Sequence, residues 1–300
     1  MSDRESGALR VLVAGASGYV GTEFVRQLEA DGHTVDRLTR GEPSGPGEHR
    51  WNPTAGELDL SLVETADAVV NFAGASIAKL PWSSSYQKEI LASRIAATDT
   101  IVNAINAVES TPQVLLNASA VGFYGDRPGA TLTEDSAKGI GFLADVVDEW
   151  EAAANKARTR VVTFRTGLVV GEGGAFGPLG LLTRFGLAAR IGTGAQFWPW
   201  IALYDEAAAI RHLLTSDLAG PVNLEGPVPA TSEHVTRELA KAMKRWHPWV
   251  LPSFLISTAL GTAGKELLLP SQKAVPSKLL ADGFEFRYQT VDEAISAVWK

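Results

Sequence analysis

The chain has 300 residues, of which 45% are hydrophobic and 20% charged, so it is long enough for one large domain or two and has the balance of a soluble globular protein. A net charge of −7 argues against a nucleic-acid binder, which wants a basic face. The absence of cysteine excludes disulfides, thiolate nucleophiles and cysteine-held metals, and the five scattered histidines lack the spacing of a zinc site, so no metal is expected.

Residues 1–10 are polar and lack the apolar core of a signal peptide, which predicts a cytoplasmic protein. The apolar run Val11-Leu12-Val13-Ala14 then reads as a buried first strand, Arg10–Ala14. It runs into Gly15-Ala16-Ser17-Gly18-Tyr19-Val20-Gly21, and residues 22–30 read as a helix. A strand, a glycine turn and a helix start form a site for a dinucleotide pyrophosphate: glycine lets the backbone approach, and the free N–H groups of the first helical turn favour negative charge. Gly15, Ser17, Gly18, Tyr19, Val20 and Gly21 are the expected cofactor contacts.

A second strand is predicted over Thr34–Thr39, followed by Arg40. An acid at this strand end selects NAD through the ribose hydroxyls, whereas an arginine selects NADP through its 2′-phosphate. Asp36 lies too early for the first role, so Thr39 and Arg40 point to NADP(H). Further strands are expected over 68–72, 114–118, 161–165 and 222–224, with helices over 86–108 and 141–156. This alternation implies a doubly wound parallel α/β sheet of Rossmann type, whose ligands bind at the carboxyl ends of the strands. Residues 171–194 are glycine-rich and read as a loop over the site. From 227 the rhythm turns helical, with helices expected over 231–246 and 251–263. The apolar stretch 249–263 is too short to span a bilayer and reads as a packed helix, so no membrane partner is expected. The expected division is a dinucleotide-binding unit, 1–170 with a return strand near 200–226, and a smaller, mostly helical substrate lobe, 171–199 and 227–300.

The segments GASGYVG, VVNFAGASIA, KEILASR, NASAVGFYG, DEWEAAA, FRTGLVVGEGGA and KELLLPSQKAVPSKLLADGFEFRY together carry a resemblance over nearly the whole chain. It resembles the extended short-chain dehydrogenase/reductases, and more closely their atypical epimerase-like branch, family 39U. The resemblance implies that Asn71, Phe72, Ala73 and Gly74 form a turn along the adenosine half of the cofactor. It also implies that Glu89 and Arg94 reach the cofactor from one helix, unless they are a surface ion pair, and that Leu168 touches the nicotinamide. Ser119 matches the superfamily's active-site serine. The usual Tyr-x-x-x-Lys pair falls on Leu143 and Val147, neither of which moves a proton. Tyr124 is the candidate substitute, with Arg94 as the cation that would activate it, and packing is its alternative role. Phe197-Trp198-Pro199-Trp200 reads either as a substrate wall or as a wedge between lobes. Relatives often carry histidine where this chain has Ala202. Two functions stay open: an NADP-dependent epimerase or oxidoreductase acting on a small carbonyl or nucleotide-sugar substrate, and a non-catalytic NADPH-binding sensor or regulatory partner-binding protein.

Overall fold

The computed structural model describes residues 7–299, so most of the polar leader lies outside the described residues. Seven strands form one parallel sheet: β1 (Arg10–Ala14), β2 (Thr34–Thr39), β3 (Glu48–Arg50), β4 (Ala68–Asn71), β5 (Val114–Ala120), β7 (Arg160–Thr166) and β12 (Gly220–Leu224). Their order is β12-β7-β5-β4-β1-β2-β3, and every pairing is parallel. This is the doubly wound Rossmann-like fold expected from the strand–helix alternation.

The period-2 geometry of a strand sorts the core into two layers. Val11 and Val13 of β1 face one side with Phe24 and Leu28 of α1 (Tyr19–Ala30) and Ile210 and Leu213 of α6 (Leu203–Thr215). Leu12 and Ala14 face the other side with Ile101 and Ile105 of α3 (Ser84–Ala107). The helix α4 (Phe142–Ala154) packs beside α3, and the short α2 (Leu60–Glu64) completes that layer. Both sheet faces are therefore covered, as a parallel sheet requires.

The remaining strands are short pairs outside the central sheet. β6 (Thr131–Leu132) pairs with β15 (Lys273–Ala274), and β8 (Leu168–Val170) with β11 (Trp200–Ala202). β9 (Ala189–Ile191) pairs with β14 (Trp249–Leu251), and β10 (Phe197–Trp198) with β13 (Ala230–Thr231). A third apolar cluster joins Phe176, Trp198, Trp200, Val235, Leu239, Ile256 and Ile295. It draws on α5 (Phe176–Arg184), α7 (Ser232–Ala242), α8 (Ser253–Leu267) and α10 (Val291–Val298). The chain then doubles back: Leu279 of α9 (Ser277–Ala281) and Phe286 pack into the first core.

Three local expectations are corrected. The stretch 171–194 is not all loop: α5 forms despite Gly177, Pro178 and Gly180 because Phe176 and Thr183 are buried. α7 stops at Ala242 rather than 246, since Lys244 takes a left-handed φ of 55° and Arg245 N–H closes onto the Ala240 carbonyl. The stretch 249–263 is not one packed helix. Trp249–Leu251 is a strand, α8 begins after Pro252, and Trp249, Val250, Leu251, Phe254 and Leu255 are exposed. Among the described residues no helix is long and apolar enough to cross a membrane.

Candidate functional site

The glycine turn sits where β1 meets α1 at the carboxyl edge of the sheet. Gly15 has φ +80°, and a Cβ there would lie 3.0 Å from Phe72, so both backbone hand and close packing demand glycine. Gly18 N–H donates to the Gly15 carbonyl at 3.0 Å, and no side chain caps the start of α1. The first-turn N–H groups around Tyr19, Val20 and Gly21 thus keep their hydrogen-bonding capacity for an anion. Ser17 and Gly18 are exposed at this edge. The Tyr19 ring lies over Gly171, Gly173 and Gly174, which ties the turn to the loop after β8.

Inside β2, Asp36 is buried in an ionic cluster. It accepts from Arg10 Nε at 2.6 Å and from His49 Nε2 at 2.9 Å. Burial works to raise its pKa, but these two partners outweigh it and hold the carboxyl below its ordinary value. Asp36 is therefore occupied away from any ribose. Thr39 accepts from Gly41 N–H at 3.3 Å. Arg40 is exposed, and among the described residues it forms no ion pair.

The turn after β4 is shaped from within. Asn71 is fully buried, donates to Asn117 Oδ1 at 2.7 Å and accepts from Ala73 N–H at 3.0 Å. Phe72 meets Phe24 and Phe164 edge-on, which anchors the turn in the core. Gly74 lies against Arg94, with a Cβ there 3.0 Å from Arg94 Cγ. Arg94 donates through Nη1 to the carbonyls of Ala75 and Ile90, and its guanidinium stands 5.0 Å over the Trp150 ring. Burial pulls its pKa down to about 10, so it is a cation at neutral pH. Glu89 is exposed and makes no ion pair with Arg94.

On the α3–α4 face, β5 turns from apolar to polar toward its carboxyl end, from Leu115 through Asn117 to Ser119. β7 does the same from Val161 to Arg165, which is in register with Ser119. Arg165 closes a two-pronged ion pair with Glu151 of α4, Nε on Oε1 and Nη2 on Oε2, both at 2.8 Å. Ser119 Oγ donates to Glu151 Oε1 at 2.6 Å. Arg165 Nη1 donates to Tyr124 Oη at 3.0 Å, and Tyr124 donates to Asn223 Oδ1 at 2.6 Å. Burial lowers the Arg165 pKa, but Glu151 outweighs it and the net shift is upward. Burial pushes the Tyr124 hydroxyl up to about 12, against the opposing pull of Arg165. The cation beside Tyr124 is thus Arg165, not Arg94, and the ring is fully buried. Leu143 and Val147 are packed into the core where a Tyr/Lys pair would stand.

Behind Gly167, at the ends of β7 and β12, stands a second polar group that the sequence did not disclose. Glu206 accepts from Thr166 Oγ1 at 2.7 Å, while its other oxygen and both oxygens of Glu225 have no hydrogen-bond partner. Both side chains are fully buried. Burial pushes Glu206 up to about 8, and burial with the charges of Glu206 and Glu134 holds Glu225 well above the ordinary range. A carboxylate just past an apolar strand end reads as a surface residue, so no sequence signal marked it. Arg165 did leave one: a cation inside the apolar strand Arg160–Thr166 must find a buried partner.

Trp198 and Trp200 are both buried, with indole N–H groups donating to the carbonyls of Leu268 at 3.1 Å and Val228 at 2.9 Å. They act as the wedge of the third cluster rather than as an open wall. Ala202 is buried in β11. Leu168 N–H donates to the Pro199 carbonyl at 2.6 Å, which fixes the loop after β7. The histidines each have a local partner, and among the described residues no group of acidic or histidine side chains is arranged to hold a metal.

Residues 11–225 match the NAD dependent epimerase/dehydratase family, and residues 251–298 match a domain of unknown function, DUF1731. An epimerase family protein of Mycobacterium leprae is 38% identical, with 95% of this chain and 94% of the relative covered. The human epimerase family protein SDR39U1 is 34% identical over 97% of this chain and 99% of its own length. A crystal structure of that human protein with NADPH superposes with a TM-score of 0.88 at 32% identity, covering 97% of this chain and 99% of the other. A structure described as the nucleoside-diphosphate sugar epimerase from Corynebacterium glutamicum has a TM-score of 0.79 at 30% identity, covering 97% of this chain and 58% of that one.

Proposed function

The chain belongs to the NAD dependent epimerase/dehydratase family, and from that premise we propose that it binds NADP(H) and acts on a small carbonyl or nucleotide-sugar substrate. The observation that carries the cofactor reading is the pairing of two features at one sheet edge. The left-handed Gly15 turn leaves the start of α1 uncapped for a pyrophosphate, and Arg40 stands at the end of β2 without a carboxylate partner. Asp36 is held by Arg10 and His49 inside the strand, so it does not compete for the 2′-position. The human relative crystallised with NADPH supports the same choice. Asn71, Phe72, Ala73 and Gly74 would flank the adenosine side, with Arg94 behind them and Glu89 at the outer edge. Leu168 would line the nicotinamide side. When bound, the cofactor supplies or accepts a hydride.

In this reading residues 1–170 with the segment 200–226 hold the cofactor, 171–199 and 227–300 form the substrate lobe, and the protein works in the cytoplasm. Ser119, near the carboxyl end of β5, is the hydroxyl that the family resemblance assigns to a substrate oxygen. Both Glu151 oxygens accept from Arg165, so Glu151 is a carboxylate and the Ser119 hydrogen points to it. Ser119 is left with acceptor lone pairs, which suit a substrate hydroxyl better than a carbonyl. Tyr124 serves by holding Arg165 in place; with a pKa near 12 and a buried ring it keeps its own proton. The test is NADP+ reduction with alcohols and nucleotide sugars, and NADPH oxidation with carbonyls, with Ser119→Ala as the control variant. Turnover lost in the variant supports this role.

One observation favours a second reading. Leu143 and Val147 leave no proton-transferring pair, and the Ser119 and Tyr124 hydroxyls are both committed within the protein. A non-catalytic NADPH sensor that binds a regulatory partner would retain the glycine turn and Arg40 while lacking turnover. NADPH-dependent protection of the second lobe from protease, with no turnover on any substrate class, would select it.

A further inference from the structure

Two segments of the second lobe, residues 181–192 and 244–255, meet on one side of the molecule. β9 and β14 pair there, Trp249 Nε1 donates to the Gly186 carbonyl at 3.1 Å, and Arg245 Nε donates to the Arg184 carbonyl at 3.0 Å. The face so formed is apolar yet uncovered. Trp246 is 86% exposed, Phe185 72% and Phe254 67%, and all three residues of β14, Trp249–Leu251, are exposed. Large apolar groups gathered on one side in this way mark an interaction surface rather than ordinary scatter.

The two segments of this face carry only basic charges, with acidic groups at their borders. Residues 173–204 and 239–265 contain no Asp or Glu, although the chain as a whole carries −7, and they include Arg184, Arg190, Lys241, Lys244, Arg245 and Lys265. Lys241 is paired with Glu238, and Glu172 borders the same depression as Arg184 and Arg245. Arg184, Lys244 and Arg245 are exposed and, among the described residues, form no ion pair.

From this combination we propose that the face of 181–192 and 244–255 docks the protein on the surface of an anionic lipid bilayer. Exposed Trp and Phe suit the headgroup boundary, leucine and valine suit the acyl edge, and the basic rim is attracted to anionic headgroups. A second copy of the chain fits less well, because a two-fold interface would set this basic face against the same basic face. Nucleic acid fits less well too: the rings could stack on bases, but the exposed Leu181, Leu187, Val250 and Leu251 would gain no apolar contact from a phosphate backbone. No span is implied; the contact is peripheral, and it holds whether or not the cofactor reading above is correct.

Flotation of the full chain with vesicles of phosphatidylcholine alone, and with phosphatidylglycerol added, tests this. Saturable, salt-sensitive binding to the anionic vesicles only, with a blue shift of tryptophan emission, is expected. Two double variants, Lys244→Glu with Arg245→Glu and Trp246→Ser with Phe254→Ser, are each expected to bind at least about tenfold more weakly. All four positions are at the surface, and unchanged circular dichroism and NADPH binding would show that the fold is retained. Three results would overturn the proposal: no flotation with anionic vesicles at low salt, equal binding of the wild type and both variants, or concentration-dependent self-association that buries Trp246 without vesicle binding.

Discussion

Glu151 and Arg165 join α4 to β7 through two parallel hydrogen bonds of 2.8 Å within the protein interior. The pair takes up the Ser119 hydrogen on one side and the Tyr124 oxygen on the other. Removing one member strands the other as a buried charge. Arg165→Met is therefore expected to cost about 3–5 kcal/mol in chemical denaturation. Pairing it with Glu151→Leu is expected to restore much of that loss, because replacing both charges with apolar groups removes the stranded ion. A double variant no more stable than Arg165→Met would contradict this account.

Tyr124→Phe removes the hydroxyl between Asn223 and Arg165 while leaving the ring in place. The expected cost is about 1–2 kcal/mol of stability, with NADPH affinity unchanged. A variant of full stability that loses turnover would instead return Tyr124 to direct chemistry.

Glu206 gives the fold a pH dependence of definite sign. Its carboxyl titrates near the ordinary value of 4.5 in the unfolded chain and at about 8 in the folded protein. Below about 4.5 both states hold the proton and the burial costs nothing extra. As pH rises toward 8 the unfolded chain loses its proton first, so folding stability falls across that window. Glu206→Gln keeps the acceptor for Thr166 and removes the titration. The variant is expected to exceed the wild type by about 1–3 kcal/mol at pH 8 and to show little advantage near pH 4.5. Urea melts at the two pH values check this; an advantage independent of pH would show that Glu206 does not titrate in the window.

Much of the frame was legible because it rests on local patterns. The buried parallel strand Arg10–Ala14 reads as a continuous apolar run and is found at the expected bounds, as is the more polar Thr34–Thr39. The glycine turn is legible because Gly15 needs φ +80°. α5 was hidden because Gly177, Pro178 and Gly180 lower helix propensity, and only burial of Phe176 overrides them. The network of Ser119, Glu151, Arg165, Tyr124 and Asn223 was hidden because its members are spread over more than a hundred residues and meet only through β5–β7–β12 register. The uncovered face was misread for a different reason. Apolar composition says that Trp249, Leu251 and Phe254 favour leaving water, not that a partner surface exists within the same chain.

We propose that the β1–α1 turn and Arg40 together hold NADP(H). Quenching of the eight tryptophans, titrated with NADPH and with NADH, tests it most directly, with Arg40→Ala in parallel. The expected result is saturable NADPH binding, weakened about ten- to a hundredfold in the variant by loss of a charged hydrogen bond, with weak NADH binding that the variant leaves unchanged. Equal affinity for both cofactors, or an Arg40→Ala variant that binds NADPH as the wild type does, would contradict the account.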